Sequence, residues 1–288
     1  MILILGASGY VGSNIYEHLL NKKFPVLGTY CQKKVHGLVY FNLKDTPLDA
    51  LNLDHIKPNY VFITLFTPST NIDATKKNWE IAYDLNVEKI KKIIDTCFQR
   101  NIIPVYISSD AVFDGKKGAY VETDHANPLN CYGRIKYEVE KYIMSCSMPS
   151  LIIRVGKVFG LNKNDNTLIS NMINDIHNKD NLFYDQKQVF TPICVHDLSC
   201  AIEKLILGKH QGIFHLKSLK ATTRYALAKE ICRYYNFNES KISPCDINKL
   251  GLVEPRPLMI SLNDDKIRQT IDVTTHSLLH YLKFYSLN

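Results

Sequence analysis

MILILGASGYVGSNIYEHLL, residues 1–20, places a strand, a glycine loop and a helix in immediate succession. The apolar run Ile2–Leu5 is typical of a strand that is buried on both faces. Gly6, Gly9 and Gly12 follow at three-residue spacing, and the amphipathic segment Tyr10–Leu20 begins within the loop. Such glycines permit a tight turn, close approach of the backbone to a pyrophosphate, and close packing of helix on strand. The stretch therefore predicts a dinucleotide site.

The start of this helix is where the phosphates would lie, because its free N–H groups and its dipole favour anions. A glycine-rich turn that binds no ligand is the alternative interpretation. The residues that we assign to the cofactor from this loop are Gly6, Ser8, Gly9, Tyr10, Val11 and Gly12.

Short apolar runs alternate with helix-length amphipathic segments over the first half of the chain. The expected strands are Ile2–Leu5, Val26–Tyr30, Val39–Phe41, Tyr60–Leu65, Ile103–Ile107 and Leu151–Val155. The expected helices are Tyr10–Leu20, Leu48–His55, Trp79–Arg100 and Tyr132–Ser145. This alternation predicts an α/β fold, a Rossmann-type doubly wound parallel sheet.

After Arg154 the pattern becomes irregular and polar, which predicts a smaller, interleaved C-terminal substrate lobe. We place an NAD(P)-binding Rossmann domain at residues 1–155, and a substrate-binding lobe at residues 156–190 and 236–288. The helical stretches Val195–Leu207 and Ala221–Tyr235 are expected to return to the main layer.

The composition is that of a globular protein, with 288 residues, 45% hydrophobic and 22% charged, which suits one large α/β domain or a domain with a lobe. No apolar run approaches the ~18 residues of a membrane span, and the N-terminus lacks a basic signal region. We therefore expect no membrane partner and a cytoplasmic location. The lysines and arginines behind the net charge of +7 are scattered, so we expect a phosphorylated small molecule rather than a nucleic acid. A homodimer is one assembly that the sequence allows.

The eight cysteines lie far apart and form no C-x-x-C pair. Reduced structural thiols are therefore expected, and no metal site is predicted. His196-Asp197 has the form of a catalytic dyad or a metal pair, but we expect a structural role for it.

The end of the second strand bears on the choice of dinucleotide. NAD sites place an acidic residue about 20 residues beyond the loop, whereas this chain has Tyr30-Cys31-Gln32-Lys33-Lys34 there. Lys33 or Lys34 would pair with a 2′-phosphate, so we favour NADP, with NAD as the alternative. Two lysines on a solvated turn are the simpler interpretation.

The candidate catalytic residues come from a strand end and the helix after it. Strand Ile103–Ile107 leads into Ser109, and Tyr132 and Lys136 lie one helical turn apart. A ketone that accepts hydride needs a proton donor, and a phenol becomes a better donor when a neighbouring ammonium lowers its pKa. The same tyrosine–lysine spacing occurs four more times in this chain, so the surrounding sequence must distinguish the catalytic pair.

The segment ISSDAVFDGKKGAYVETDHANPLNCYGRIKYEVEKY, residues 107–142, supplies that distinction. It resembles the active-site segment of the dTDP-4-dehydrorhamnose reductases, which are extended short-chain dehydrogenase/reductases. The stretches RVGKVFG at 154–160, TPICVHDL at 191–198 and RPLMISL at 256–262 are similar to later elements of that family. The resemblance implies that Ser109, Tyr132 and Lys136 are catalytic.

The same resemblance implies the remaining site residues and the reaction. The further residues assigned to the cofactor are Tyr30, Lys33, Asn42, Leu43, Leu65 and Asn86, with Tyr132 and Lys136 contacting it as well. The residues assigned to the substrate are Asp110, Val112, Phe113, Lys157 and Arg256. The implied activity is NAD(P)H-dependent reduction at C4 of a nucleotide-linked 4-keto-6-deoxy sugar.

Three departures from the family pattern leave other functions open. Ala111 replaces a tyrosine, Lys157 a tryptophan, and Thr64-Leu65-Phe66-Thr67 the usual N-C-A-A. A nucleotide-sugar epimerase is one alternative. A 4,6-dehydratase is disfavoured. Dehydratases of this superfamily typically carry a glutamate directly after the active-site aspartate, whereas this chain has Ala111 there. The alternative of another class is a cofactor-binding regulatory subunit that resembles that of methionine adenosyltransferase.

Overall fold

The computed structural model describes residues 1–66, 71–249, 251–274 and 276–285 of the chain. The strands are β1 (Ile2–Leu5), β2 (Val26–Tyr30), β3 (Leu38–Tyr40), β4 (Tyr60–Ile63), β5 (Ile103–Ser109), β6 (Leu151–Val155), β7 (Val158–Phe159), β8 (Leu182–Asp185), β9 (Ile193–Cys194), β10 (Gly212–Leu216) and β11 (Ile242–Cys245). The helices are α1 (Tyr10–Asn21), α2 (Leu53–Ile56), α3 (Ile72–Lys77), α4 (Trp79–Tyr83), α5 (Lys89–Gln99), α6 (Cys131–Ser145), α7 (Leu168–Asn178), α8 (Val195–Leu207), α9 (Arg224–Tyr235), α10 (Asp265–Thr270) and α11 (Leu278–Leu282).

Within these described residues, seven strands form one parallel sheet in the order β10-β6-β5-β4-β1-β2-β3. Ile2 of β1 lies opposite Val26 of β2 on one side and opposite Tyr60 of β4 on the other. The chain order reverses between β1 and β4, so the carboxyl ends of these strands open the crevice in which such sheets bind ligands. The predicted Rossmann-type α/β fold is confirmed.

Helices cover both faces of the sheet. On one face α1 and α8 pack over the strands through buried side chains that include Ile15 and Leu205. On the opposite face α5 and α6 contribute Ile94 and Val139 to a second apolar cluster. Both faces are thus buried, which explains why β1 is apolar throughout and why β6 is apolar except for Arg154.

A smaller layer follows β6 and carries two short parallel sheets, β8 with β11 and β7 with β9. Helices α7, α9 and α11 bury Ile173, Ile231 and Leu282 together in a third cluster. The expectation that α9 returns to the main layer is therefore corrected, because its apolar face packs against this smaller layer. Helix α8 lies against α1 on the main sheet.

Several boundaries differ from the sequence expectations for local reasons. The expected helix over 48–55 is a 3₁₀ turn followed by α2, and Asn52 between them has a left-handed φ of 55°. A π turn at Asp84–Glu88 joins α4 to α5 within the expected helix over 79–100. The start of α9 is at Arg224 because the Thr223 hydroxyl caps it by accepting from Ala226 N at 3.1 Å.

No helix in the described ranges combines the length and the apolar character that crossing a bilayer requires.

Candidate active site

The glycine loop after β1 is held in a strained, compact turn. Gly6 has a φ of +89°, a conformation that suits glycine, and a Cβ at Gly12 would lie 2.2 Å from the Gly6 carbonyl oxygen. Thr29 of β2 fixes the loop, because its hydroxyl accepts from Gly6 N at 3.0 Å and its carbonyl accepts from Ser8 N at 3.2 Å. These contacts hold the loop so that α1 begins directly beneath the crevice.

A cavity of about 850 Å³ fills this crevice and extends to the smaller layer. That volume lies in the range of pockets that enclose cofactors or drug-sized ligands. The glycine loop and Leu65, the candidate catalytic residues Ser109 and Tyr132, and the basic residues Arg224 and Arg256 all line it. One continuous space therefore connects the loop, the candidate catalytic residues and the smaller layer.

The close packing of α6 on the end of β5 brings Ser109, Tyr132 and Lys136 together. Asn130 caps α6 by accepting from Gly133 N at 2.9 Å. A Cβ at Gly133 would lie 2.1 Å from the Ala111 carbonyl oxygen, so only glycine allows this approach. The sequence N-x-x-G before the lysine is thus what sets α6 against the strand end.

Each of the three side chains has definite partners. The Ser109 hydroxyl donates to Asp110 Oδ1 at 3.0 Å and accepts from Ala111 N at 3.1 Å. Lys136 Nζ donates to the Ile107 carbonyl oxygen at 2.9 Å, and its distance to the Tyr132 ring centroid is 5.9 Å. The Tyr132 ring packs against Phe66, with 4.8 Å between ring centroids.

Burial dominates the ionisation of this pair. Burial, together with the charge of Asp110, raises the pKa of Tyr132 to about 12, although a hydrogen bond with Ser109 acts in the opposite direction. Burial lowers the pKa of Lys136 to about 7, against the charge of Glu140. The expected lowering of the phenol pKa by a neighbouring ammonium is therefore absent here, and Tyr132 holds its proton at neutral pH.

A buried ion pair lies behind Lys136 on the same face of α6. Arg154 Nη2 of β6 is 2.6 Å from Glu140 Oε2, and both side chains are almost fully excluded from solvent. Ser108 also donates to Glu140. Because removal of one partner of a buried pair leaves an uncompensated charge, this pair holds α6 firmly against β5 and β6.

Basic side chains other than that of Lys136 also line the cavity. Lys157, Arg224 and Arg256 line it together, and the neighbouring Arg224 charge adds to burial in lowering the pKa of Lys157. Arg224 donates to Gln188 Oε1 at 2.7 Å, and Arg256 pairs with Asp73 at 3.0 Å. Such a group of cations can bind a polyanion such as a diphosphate.

The glycine loop, the candidate catalytic residues and the basic side chains occur together in a chain that matches a known family. The model of the RmlD substrate binding domain matches residues 1–283. The chain belongs to this family. The resemblance stated from the sequence is thereby confirmed.

Individual relatives bear two different names. A dTDP-4-dehydrorhamnose reductase of Aggregatibacter actinomycetemcomitans is 28% identical over 236 residues, which cover 79% of this chain and 76% of the relative. Methionine adenosyltransferase 2 subunit beta of Xenopus tropicalis is 24% identical over 276 residues, which cover 93% of this chain and 81% of the relative. A crystal structure of a hypothetical dTDP-4-dehydrorhamnose reductase from Sulfolobus tokodaii has a TM-score of 0.83 and 27% identity, and it covers 100% of this chain and 97% of its own.

The cavity collects most of the residues that the sequence assigned to a site. Those that line it are Gly6, Ser8, Gly9, Tyr10, Val11, Gly12, Leu65, Ser109, Asp110, Tyr132, Lys136, Lys157 and Arg256. Arg224 also lines it and was not predicted. The sequence around Arg224 indicates only that it lies near the start of a helix. It does not indicate which distant elements the side chain faces.

Val112 and Phe113 are corrections to the predicted substrate site. Both side chains are fully buried and lie in an apolar cluster with Tyr120 and Leu262. The Phe113 ring stacks on Tyr120, with 4.1 Å between centroids. The cavity lining takes in Asp110 and Ala111 of the 3₁₀ turn Asp110–Val112, but not Val112 or Phe113.

The remaining predicted cofactor residues lie outside the cavity lining. Tyr30 packs edge-on against Tyr40, and Lys33 is exposed on the turn after β2. Asn42 Nδ2 donates to Asp45, Leu43 is buried in the second cluster, and Asn86 donates to the Ala82 carbonyl oxygen. Their contacts with a cofactor stay predictions. Of the stretch Thr64–Thr67, residue 67 lies outside the described residues.

Proposed function

We propose that this protein is an NAD(P)H-dependent oxidoreductase that reduces the C4 ketone of a nucleotide-linked 4-keto-6-deoxy sugar. The observation that carries the proposal is the single cavity that joins the glycine loop, the Ser109–Tyr132–Lys136 group and the cluster of three cations. Each part suits one portion of the reaction: the cofactor phosphates, the reacting ketone and the substrate diphosphate.

The loop fits a dinucleotide. No side chain caps the start of α1 in the described part of the chain, and its N-cap, Gly9, leaves open space in front of the helix. A Cβ at Gly9 would already lie 3.3 Å from the Gly6 carbonyl oxygen. Gly6, Ser8, Gly9, Tyr10, Val11 and Gly12 would therefore hold the pyrophosphate with backbone groups. We favour NADP, with NAD as the alternative.

A bound nicotinamide cofactor supplies the hydride. In this mechanism the Ser109 hydroxyl, which donates to Asp110 Oδ1 in this structure, would turn its proton to the ketone oxygen and so orient the ketone. Tyr132, protonated at neutral pH, donates its proton to that oxygen as negative charge develops there, which completes the alcohol. The Lys136 cation then stabilises the phenolate until it regains a proton.

Within the same cavity, Lys157, Arg224 and Arg256 would bind the diphosphate of the nucleotide sugar. Lys157 replaces an aromatic residue of the family pattern, so this chain places more positive charge near the substrate. Val112 and Phe113 take no part. The cytoplasmic location and a homodimer stay predictions.

The test is to measure NADPH oxidation with a panel of enzymatically generated nucleotide 4-keto sugars. Tyr132→Phe should reduce the rate by roughly 10²–10⁴-fold while NADPH binding changes little, because only the proton donor is lost. Tyr137→Phe, one turn later on α6, is the matched control and should keep full activity. A Tyr132→Phe variant with normal turnover would remove this tyrosine from the mechanism.

A cofactor-binding regulatory subunit is the second candidate. It is favoured by the match to methionine adenosyltransferase 2 subunit beta, which extends over more of this chain than the reductase match does. A pull-down with mass spectrometry separates the two functions. Stable one-to-one capture of a larger enzyme, with no turnover of any keto sugar, would contradict the reductase proposal.

A further inference from the structure

A group of metal-ligating side chains lies where α1 packs on α8, outside the cavity. His18 comes from α1, and His196 and Cys200 come from α8. One potential ligand atom from each of the three lies within 4.8 Å of the other two. On α8, His196, Cys200 and Glu203 recur at helical spacing, so they share the face that meets α1.

The distances are close to those that a tetrahedral ion requires. Zinc binds nitrogen and sulfur ligands at about 2.0–2.3 Å, so its ligands lie about 3.3–3.8 Å apart. Cys200 Sγ is 3.8 Å from each ring nitrogen of His196. The rings of His18 and His196 meet edge-on, with 6.1 Å between centroids. The His196 side chain is 64% exposed and is free to rotate toward an ion.

Glu203 contacts the potential ligand His18, as carboxylates near protein metal sites commonly contact a ligating histidine. Its Oε2 lies 2.6 Å from His18 Nε2, and both side chains are largely buried. A carboxylate on one ring nitrogen fixes the tautomer and leaves the other nitrogen, Nδ1, able to bind a metal. His18 is thus held as a zinc-ligating histidine is, by a residue of the same α8 face.

Neighbouring contacts distinguish His196 from a catalytic dyad. The adjacent Asp197 carboxylate accepts a hydrogen bond from the Ser218 hydroxyl at 2.6 Å and another from the Tyr281 hydroxyl, so it serves to join α8 to the segment after β10 and to α11. His196 Nδ1 lies 3.7 Å from Asp197 Oδ1 and 3.8 Å from Cys200 Sγ, and the His196 ring meets His18 edge-on. A search for C-x-x-C spacing misses this group because its donors come from two helices 178 residues apart (His18 to His196).

We propose that His18, His196 and Cys200 bind one divalent zinc ion, with water as the fourth ligand and Glu203 as the partner of His18. Two nitrogen donors and one thiolate are a set that suits zinc over magnesium or calcium, which prefer oxygen. The ion would join α1, the helix that follows the glycine loop, to α8.

The experiment measures zinc retained by tag-free protein after dialysis against micromolar zinc chloride, with cobalt(II) absorption as the second readout. We expect one ion per chain and a thiolate-to-cobalt charge-transfer band. His196→Ala/Cys200→Ser should lose at least 100-fold in affinity and lose the band. Glu203→Gln should weaken binding by roughly 10- to 100-fold.

His55→Ala/Cys31→Ser is the matched control, because it removes an exposed histidine and an exposed cysteine elsewhere. It should bind zinc as the parent protein does. Substoichiometric zinc in the parent protein, or equal affinity in the two double variants, would overturn the proposal. NADPH and keto-sugar turnover, measured in parallel, should be unchanged in both double variants, so this result is independent of the proposed reductase activity.

Discussion

Asp110→Asn should stabilise the protein above neutral pH, because the native fold disfavours the charge of this carboxylate. Burial raises the pKa of Asp110 from 3.8 to about 7, and the Ser109 hydrogen bond and the Lys157 charge only partly oppose this. The unfolded chain therefore releases a proton that the folded protein retains. Stability from this group is complete below the unfolded pKa and is lost as pH rises through about 7.

The magnitude follows from the shift. About three pKa units at 1.36 kcal/mol each give about 4 kcal/mol as an upper value, and relaxation around an ionised carboxylate reduces it. We expect Asp110→Asn to raise the free energy of unfolding by about 2–4 kcal/mol at pH 8.5 and to change it little at pH 4. Asparagine has the same shape and still accepts from Ser109, so packing is preserved.

The assay is urea unfolding followed by circular dichroism at several pH values. Asp114→Asn is the control with the opposite sign. The Tyr120 hydroxyl, which donates to Asp114 Oδ1 at 2.6 Å, holds the pKa of that carboxyl below its usual value. Its contribution is present at neutral pH and is lost as pH falls, so Asp114→Asn should destabilise at pH 7. Parallel stability curves for the parent protein and Asp110→Asn at all pH values would refute the reasoning.

Three further predictions concern the proposed reaction. Lys33→Ala/Lys34→Ala should weaken NADPH binding roughly tenfold, because a charge-assisted hydrogen bond is lost, and should leave NADH binding unchanged. If fluorescence titrations show equal weakening of NADPH and NADH binding, a role for these lysines at the 2′-phosphate is excluded. The pKa of Lys136 is about 7, so its positive charge is lost as pH rises, and kcat should decline above about pH 7. A kcat that stays constant between pH 6 and pH 9 would contradict the role of Lys136. Gly12→Ala should cost about 1–3 kcal/mol by overpacking against the Gly6 carbonyl and also reduce cofactor affinity; unchanged thermal stability and NADPH binding would show that the loop can relax.

The parts of the fold that the sequence predicts well are those whose pattern is local. β1, β2, β6 and α8 occur at the predicted residues, because each is a short apolar run or an amphipathic segment with clear ends. β10 was not predicted. It contains His215, whose burial makes sense only through distant partners: Nδ1 lies 3.0 Å from the Tyr120 carbonyl oxygen, and the ring meets Arg154.

In the candidate site, too, the residues that belong to a local motif were predicted, and those that depend on distant contacts were not. Ser109, Tyr132 and Lys136 were predicted because they fall within one continuous motif, and the structure brings them into one cavity. Val112 belongs to the same motif, but its side chain is fully buried in an apolar cluster with Phe113 and Tyr120. Arg224 reaches the cavity from a distant helix, and the pairing of His18 with α8 depends on helix packing. No spacing rule along the chain contains such information.

The position of β10 at the edge of the main sheet affects how the chain can be divided. β6 pairs with β5 on one side and with β10 on the other, and β10 follows the segment that forms β7, α7, β8 and β9. A fragment that stops before Gly212 would expose the apolar edge of β6, which is a template for aggregation. During synthesis the nucleotide-binding sheet is likewise incomplete until the first part of the smaller layer, from β7 to β9, has been made. Expression of residues 1–155 alone should therefore give insoluble material, whereas a chain that retains β10 can close its own sheet.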